Sequence, residues 1–276
     1  MALATSRSLG ATLALTLSAA VVVSLGQSAA SSAPQRTTVN RHLDDARITE
    51  SSGLAVSSRH SGVLWTHNDS GGGPRVYAVG EGGGTRAMLD LAGVKARDWE
   101  DMAAGPNNTL WIGDIGDNRH RRTTVEVYRI KEPRTLRDAS VKSTKYSFKY
   151  PDGKHNAEAL MVRPGSGRIF IATKAKEGAA LYRAPKHLST NKVNRLKRRG
   201  KVPGVITGGA FAPEGGGFVL RSYGRGYRYN KVRGNPRNVD LPSMKQGESI
   251  TYTRSGNALL AGTEGGKSPV WWVPGN

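Results

Sequence analysis

The sequence contains no cysteine, few acidic residues and few aromatic residues. Because none of its 276 residues is Cys, disulfides, thiol nucleophiles, zinc ribbons and iron–sulfur clusters are excluded. Asp and Glu number 21 against 41 Lys and Arg, which gives a formal net charge of +20, and aromatic residues make up 7% of the chain. A chain of this length can bury a core without covalent cross-links. Glycine, in contrast, is abundant at 35 residues, and this favours an all-β fold with many turns.

Long apolar runs are missing from all but the N-terminal region. The one such run, residues 9–25, follows Arg7 and precedes a cluster of Ser and Ala. This order predicts a secretory signal peptide within residues 1–33, cleaved after Ala30, and therefore a secreted protein that works outside the cell or at its surface. An uncleaved membrane anchor is the alternative, although the run is at the short end for crossing a bilayer. We expect residues 34–276 to form one domain without a transmembrane segment.

Five short motifs recur along the chain, each placing Gly, Ser or Glu ahead of an apolar residue. They are Glu50–Ala55, Asp98–Ala103, Asn156–Met161, Thr207–Ala212 and Gln246–Thr251. A second apolar run follows each motif: Leu64–Thr66, Leu110–Ile112, Ile169–Ile171, Phe218–Leu220 and Leu259–Ala261. A third run follows the second: Val76–Val79, Val127–Ile130, Leu181–Ala184, Gly226–Tyr229 and Val270–Val273. Three elements in the same order five times indicate repeated short strands separated by turns.

A fourth strand is visible in four of the five repeats. The predicted fourth strands are Met88–Leu91, Tyr146–Tyr150, Lys201–Ile206 and Asn238–Leu241. The fifth repeat reaches Asn276 without one, so its missing strand has to come from the segment near Thr38–Leu43. A ring of blades closed by its first segment has this property. The predicted fold class is all-β: a five-bladed β-propeller of four-stranded antiparallel blades, closed by the N-terminal strand.

The third position of each motif is expected to line the central channel, because the innermost strand of every blade runs along it. The residues at this position are Ser52, Glu100, Glu158, Gly209 and Glu248. Three carboxylates at one level of a channel raise one another's pKa unless a cation compensates. Oxygen ligands of this kind suit calcium. We therefore predict a calcium site on Ser52, Glu100, Glu158 and Glu248, with Arg pairing across the channel as the alternative.

With this order of residues the chain resembles the calcium-activated nucleotidases of the apyrase type. In that family, five-bladed propellers hold calcium through Ser, Glu, Glu, Ser and Glu of the innermost strands. The chain agrees at four of the five positions and departs at Gly209, where Thr207 or a water would have to supply the oxygen. The blocks Leu64–Gly71 and Asp98–Ala103 also resemble uncharacterised secreted bacterial propeller proteins described as WD40-like. The nucleotidase resemblance implies a central calcium and a phosphate-bearing substrate.

One function that fits this pattern is metal-dependent hydrolysis of an anionic, phosphate-bearing small molecule. Calcium would bind the phosphate oxygens and position a water, with Asp69 or Asp114 as general base. Lys174 and Arg221 would neutralise charge that develops in the transition state. A lactonase or esterase built on a propeller would need a similar site, for which Asn68 and Asp114 are candidate ligands.

The alternative function is a non-catalytic binding module in which any ion is purely structural. Its basic exterior would bind anionic polymers of the cell envelope. The run Lys192–Lys201 carries six cations in ten residues and is expected to be a loop between the third and fourth strands of blade three, with Arg119–Arg122 as a second cluster. A basic loop that is only exposed to solvent, without a partner, would have the same sequence pattern. Because no aromatic platform accompanies the cations, specific nucleic-acid recognition is not expected, and we expect a monomer.

Overall fold

The computed structural model describes residues 1–4 and 35–275. Residues 5–33 of the predicted signal peptide lie outside the described residues. The chain separates into two compact units, Met1–Gln35 and Arg36–Asn276, and all described strands belong to the second. No helix capable of crossing a membrane occurs in the described part of the chain.

The described residues form twenty-two strands. In chain order they are β1 (Thr38–His42), β2 (Ser51–Val56), β3 (Leu64–Asn68), β4 (Arg75–Val79), β5 (Thr85–Leu91), β6 (Trp99–Gly105), β7 (Thr109–Asp114), β8 (Val125–Lys131), β9 (Ala139–Val141), β10 (Thr144–Lys149), β11 (Ala157–Val162), β12 (Ile169–Thr173), β13 (Ala180–Arg183), β14 (Asn194–Arg195), β15 (Lys197–Lys201), β16 (Ile206–Phe211), β17 (Phe218–Ser222), β18 (Arg225–Tyr229), β19 (Arg237–Asp240), β20 (Gly247–Tyr252), β21 (Ala258–Thr263) and β22 (Pro269–Pro274).

These strands build five blades, which confirms the predicted five-bladed β-propeller. From the channel outward, the blades are β2-β3-β4-β5, β6-β7-β8-β10, β11-β12-β13-β15, β16-β17-β18-β19 and β20-β21-β22-β1. Pairing within each blade is antiparallel, and the inner strands β2, β6, β11, β16 and β20 contact one another in ring order. Two short parallel strands extend the outer edges: β9 joins β5 of blade one, and β14 joins β10 of blade two.

The N-terminal strand closes the ring of blades, as the sequence predicted. Strand β1 pairs antiparallel with β22, with Thr38 opposite Trp272 and His42 opposite Pro269. Blade five therefore takes its outer strand from the segment that precedes blade one. Closure by pairing leaves no unpaired edge between the first and last blades.

Apolar side chains of neighbouring blades pack against each other and form the core. Between blades two and three, for example, Trp111, Tyr146, Phe148 and Tyr182 belong to one buried cluster. The inner and second strands are buried along almost their whole length, whereas the outer strand β5 alternates buried and half-exposed residues. This alternation is the period of a strand with one face on the core, and it explains why the outer strands carry the weakest apolar signal in the sequence.

The outer strand of blade three differs from the prediction. It is β15, Lys197–Lys201, whereas the prediction placed it at Lys201–Ile206. Pro203 lacks a backbone N–H and Val205 adopts a positive φ of 56°, so this segment turns instead of extending. The basic run Lys192–Lys201 is correspondingly not a loop, because most of it belongs to β14 and β15.

Candidate metal centre

Every inner strand is interrupted by a β-bulge near its first residue. In blade two, Trp99 lies opposite Asp114 and Asp101 opposite Gly113, so Glu100 has no partner in the ladder. The register shifts at the corresponding point in the other four blades. A bulge redirects a side chain away from the regular alternation of the strand. The first residue without a ladder partner in each blade is Ser52, Glu100, Glu158, Thr207 or Glu248.

The bulges correct the residue assigned to blade four. Ile206 pairs with Ser222 and Gly208 with Arg221, so Thr207 occupies the bulge and Gly209 lies two residues further along. Gly209 lies opposite Leu220 inside the ladder. The repeated apolar pattern aligned Gly209-Ala-Phe with the other motifs, because two adjacent glycines carry no side-chain signal that would place the bulge.

The two hydroxyl residues of the ring connect neighbouring blades. Ser52 Oγ donates a hydrogen bond to the carbonyl oxygen of Glu100 at 2.5 Å, from blade one to blade two. Thr207 Oγ1 donates to the carbonyl oxygen of Gly247 at 3.0 Å, from blade four to blade five. Both residues are buried, so they hold adjacent inner strands together at the level of the carboxylates.

Three carboxylates of blades one and two converge beside this ring. Asp69 follows β3, Asp98 precedes β6, and Glu100 occupies the bulge of β6; one ligand atom from each lies within 4.8 Å of the others. Gly116 makes room for two of them, because a Cβ at this position would contact Glu100 Oε1 and Asp98 Oδ2. Oxygen atoms from three carboxylates form a donor set that suits a hard divalent cation such as calcium or magnesium.

Burial and mutual repulsion raise the pKa values of these acids. Burial, together with the neighbouring Asp98 and Glu264, raises the pKa of Asp69 to about 7. Burial and Glu158 raise the pKa of Glu248 to about 8. The pKa of Glu100 lies well above its ordinary value for the same two reasons, burial first and Glu158 second. A bound cation would relieve this repulsion and favour the ionised carboxylates.

Lys174 is the cation that stands among these acids. Its Nζ lies 2.7 Å from Glu158 Oε2 and donates to the hydroxyl of Tyr223 at 2.6 Å. The ion pair raises the pKa of Lys174, and the ammonium in turn opposes the effect of burial on the pKa of Glu158. Asn156 Nδ2 also donates to Glu158 Oε1 at 3.3 Å. Glu158 is therefore compensated by protein groups to a greater degree than Glu100.

Two of the predicted catalytic residues are committed to structural bonds. Asp114 is 1% exposed; its Oδ1 lies 2.7 Å from Arg122 Nη1, and its Oδ2 accepts from the backbone N–H of Arg97 at 3.1 Å. Arg221 is fully buried and donates to backbone carbonyls, including those of Ser249 at 3.0 Å and Gly262 at 2.9 Å. Neither group presents a free atom to a substrate, so we do not retain the roles of general base for Asp114 and charge neutraliser for Arg221.

Asn68, considered above as a ligand of a lactonase-like site, is also fully engaged. Its Oδ1 accepts from the backbone N–H groups of Thr49 and Glu50, both at 3.1 Å, and its Nδ2 donates to the carbonyl of Arg47 at 2.8 Å. These bonds shape the loop that leads into β2. Asn68 therefore has a structural role, which is to hold the backbone of this turn in place.

Sequence reasoning placed Glu264 near the ring without a role, and it did not assign Asp98 as a ligand or Glu50 as a neighbouring acid. All three act on the site: Asp98, Glu264 and Glu50 each raise the pKa of Asp69 by like-charge repulsion. The available signal was Asp98-Trp99-Glu100, two acids that flank a buried Trp at the start of an inner strand. In a regular strand, residues two apart share a face, and the bulge at Glu100 brings the two carboxylates to one point.

One carboxylate oxygen of this group has no partner among the described residues: Asp69 Oδ1 is buried and accepts no hydrogen bond. Buried polar atoms are normally satisfied by protein, water or an ion. The orphaned Asp69 oxygen therefore agrees with a water or an ion bound beside Asp69, next to Asp98 and Glu100.

No protein-family model matches the chain, and no curated protein matches it in sequence. Among the solved structures that share its fold are two that are described as gluconolactonases. One is a gluconolactonase from Xanthomonas campestris, 14% identical, with 87% of this chain and 89% of that chain covered and a TM-score of 0.53. The other is a putative gluconolactonase, 13% identical, with 89% and 93% covered and a TM-score of 0.52. At this identity the similarity establishes the fold alone, and neither structure is a nucleotidase, so the nucleotidase resemblance stays a prediction.

Proposed function

We propose that the chain is a secreted, divalent-cation-dependent hydrolase of lactones or esters. The observation that carries this proposal is the convergence of Asp69, Asp98 and Glu100 within 4.8 Å at one level of the propeller channel. The apolar N-terminal run supports secretion, and calcium is the cation that we infer from the all-oxygen donor set.

The residues of the site have separate tasks in this proposal. Asp98 and Glu100 hold the cation, with Glu248 and the Glu158–Lys174 pair beside them. When bound, such a cation polarises a carbonyl oxygen and lowers the pKa of a nearby water. Asp69 is half-buried, has an unpartnered Oδ1 and a pKa of about 7, so we assign it to accept the proton of the attacking water.

The balance of charge favours a neutral substrate over a phosphate. Lys174, the half-buried cation of the site, is already paired with Glu158, and Arg221 is buried and donates to carbonyl groups. A phosphate ester would therefore meet several carboxylates with little positive charge beyond that of the ion. A lactone or ester carbonyl carries no charge to repel. The two structural neighbours, which are described as gluconolactonases, agree with this choice.

An activity screen with purified protein tests the proposal. We expect turnover of sugar lactones or simple esters with calcium present, loss of turnover in EDTA, and recovery when calcium is restored. Glu100→Gln should lower kcat/KM by at least about 100-fold, because an amide is a neutral and weaker ligand. Glu177→Gln is the matched control, since Glu177 is exposed in the loop before β13. Turnover that is unchanged by both EDTA and Glu100→Gln would overturn the proposal.

The same screen distinguishes the proposed hydrolase from the alternative, a non-catalytic binding module. Its support is the basic edge strand β15, where Arg199 stands close enough to Arg183 and Arg233 for their charges to lower its pKa, after a larger effect of burial. That alternative predicts no turnover of any lactone, ester or nucleoside diphosphate. It also predicts binding to a polyanion such as heparin that weakens steeply with salt and survives Glu100→Gln.

A further inference from the structure

The channel has a second opening, at the end opposite the carboxylates. The ring residues stand at the start of each inner strand, whereas a cavity of about 310 Å³ is lined by the last residues of all five inner strands. Val56, Gly105, Val162, Phe211 and Tyr252 are those last residues. This cavity plays no part in the proposed hydrolysis.

The wall of this cavity is apolar and aromatic. Ala104 and Ala210 are half-exposed into it, and Phe211 and Tyr252 form aromatic sides. The guanidinium of Arg163 stacks on Phe211 at 4.9 Å from the ring centre, which holds that ring in place. Small-molecule sites are concave and mostly apolar, with a few polar groups that fix orientation.

Arg254 is the charged residue that lines the cavity. Its Nη2 donates to the carbonyl oxygens of Ser57 at 2.5 Å and His60 at 3.3 Å, so the guanidinium is held at the rim by neutral groups. Two acids lie nearby. Glu132 accepts hydrogen bonds from Ser57 Oγ and from the backbone N–H of Ser58. Glu214 is close enough to Tyr252 to raise the pKa of its hydroxyl, after a larger effect of burial. Within the described residues, Arg254 has no ion-pair partner.

We propose that this cavity is a binding site for a small aromatic or short-chain carboxylate. The apolar body of the ligand lies between Phe211 and Tyr252, and its carboxylate contacts the guanidinium of Arg254. Arg binds a carboxylate through charge-assisted hydrogen bonds that a neutral group of the same shape cannot form equally well. A volume of about 310 Å³ is at the lower end for small-molecule sites, which favours a ligand of one or two rings over a polymer.

Calorimetric titration with benzoate and with its neutral isostere benzamide tests this site. We expect benzoate to bind at least about tenfold more tightly than benzamide, which corresponds to about 1.4 kcal/mol. Arg254→Met should abolish that preference, because it removes the charge and keeps an apolar side chain. Arg195→Met is the control, since Arg195 is exposed on blade two, away from the cavity. Glu100→Gln should bind benzoate as the unaltered protein does, which separates this site from the proposed metal centre.

A second pair of variants tests the place of binding. Ala210→Leu and Ala104→Leu fill the cavity from two different blades and should each weaken benzoate and benzamide at least about tenfold, with an unchanged circular dichroism spectrum. Two cavity-filling variants are used because one of them could disturb its strand. The proposal is wrong if benzoate shows no saturable binding, if both probes bind equally, or if a folded Ala210→Leu or Ala104→Leu protein binds benzoate normally.

Discussion

Glu100 and Asp101 are neighbours in β6 with different environments. Glu100 occupies the bulge and joins the carboxylate group, whereas Asp101 is buried in the channel wall. Asp101 Oδ2 accepts from the backbone N–H groups of Leu160 at 2.9 Å and Gly209 at 3.3 Å. This carboxyl therefore links blades two, three and four, and burial raises its pKa well above the ordinary value. The bulge thus gives two adjacent acids different roles: Glu100 is a candidate ligand, and Asp101 is structural.

Gly116→Ala tests the space that the candidate ligands need. A methyl group at this position would contact Glu100 Oε1 and Asp98 Oδ2 and push the two carboxylates out of place. We expect calcium affinity, measured by calorimetry, to fall at least about tenfold while the fold is retained. Gly82→Ala is the matched control, because a Cβ at Gly82 would meet nothing within 4 Å. Equal calcium affinity of the two variants would contradict the assignment of Asp98 and Glu100.

Strand β1 contacts both the last blade and the first. It completes blade five by pairing with β22, and its Arg41 reaches across to blade one. Arg41 Nη1 donates to the carbonyl oxygens of Gly62 at 2.8 Å and Val79 at 3.2 Å, in the loop before β3 and at the end of β4. A single strand therefore ties the last blade to the first through both backbone and side chain.

Arg41→Met tests this link between the two blades. The change leaves two carbonyl groups without their donor, and we expect the free energy of unfolding to fall by about 2 kcal/mol. Urea denaturation measures this loss. Arg36→Met, at an exposed residue just before β1, should leave the stability within about 0.5 kcal/mol of the unaltered protein. If both variants have the same free energy of unfolding, Arg41 does not contribute to ring closure.

In the whole molecule, the distribution of charge is uneven. The chain has a net charge of +20, yet Asp69, Asp98, Glu100, Glu158 and Glu248 are gathered around one level of the channel. Such a concentration of like charge opposes folding unless protons or cations neutralise it. Stability, pH and cation binding are consequently linked in this protein.

The stability of the cation-free protein should decrease as the pH rises from about 5 to 8. The pKa values of Asp69 and Glu248 are raised to about 7 and about 8, so the native state binds more protons than the unfolded state in this range. Their stabilising contribution is complete below the unfolded pKa of about 4 and is lost as the pH passes the folded values. Calcium replaces the protons, so saturating calcium should flatten this decrease.

Urea unfolding at pH 5.5 and pH 8, in EDTA and in calcium, measures the linkage. The change in unfolding free energy between the two pH values is compared in EDTA and in calcium, because titration elsewhere in the chain contributes equally to both. Glu248→Gln should reduce the pH dependence in EDTA, since it removes one of the two raised groups. The same pH dependence with and without calcium would show that the ion does not bind beside Asp69 and Glu248.

Most of the fold could be predicted because the inner strands are short, apolar and regularly repeated. The outer strands were harder: blade three was misplaced by several residues, since β15 is so basic that it has no apolar alternation to mark it. In the site, Glu100 and Glu158 could be named from the repeat and Asp69 from the loop after β3. Thr207 could be named only as a substitute for Gly209, and Asp98 could not be assigned as a ligand. A bulge changes which residue points into the channel and leaves no trace in composition.

The sequence by itself determined the number of blades, the closing strand and the acidic residues of the inner strands, because each depends on local order repeated along the chain. Only the tertiary structure decided which acids meet and which polar groups remain free. Asp114 and Arg221 have the same residue types as catalytic groups, but Arg122 and the carbonyls of neighbouring strands already satisfy them. The carbonyl partners of Arg221 come from distant parts of the chain. A buried group can serve a substrate only if the fold leaves it unpaired.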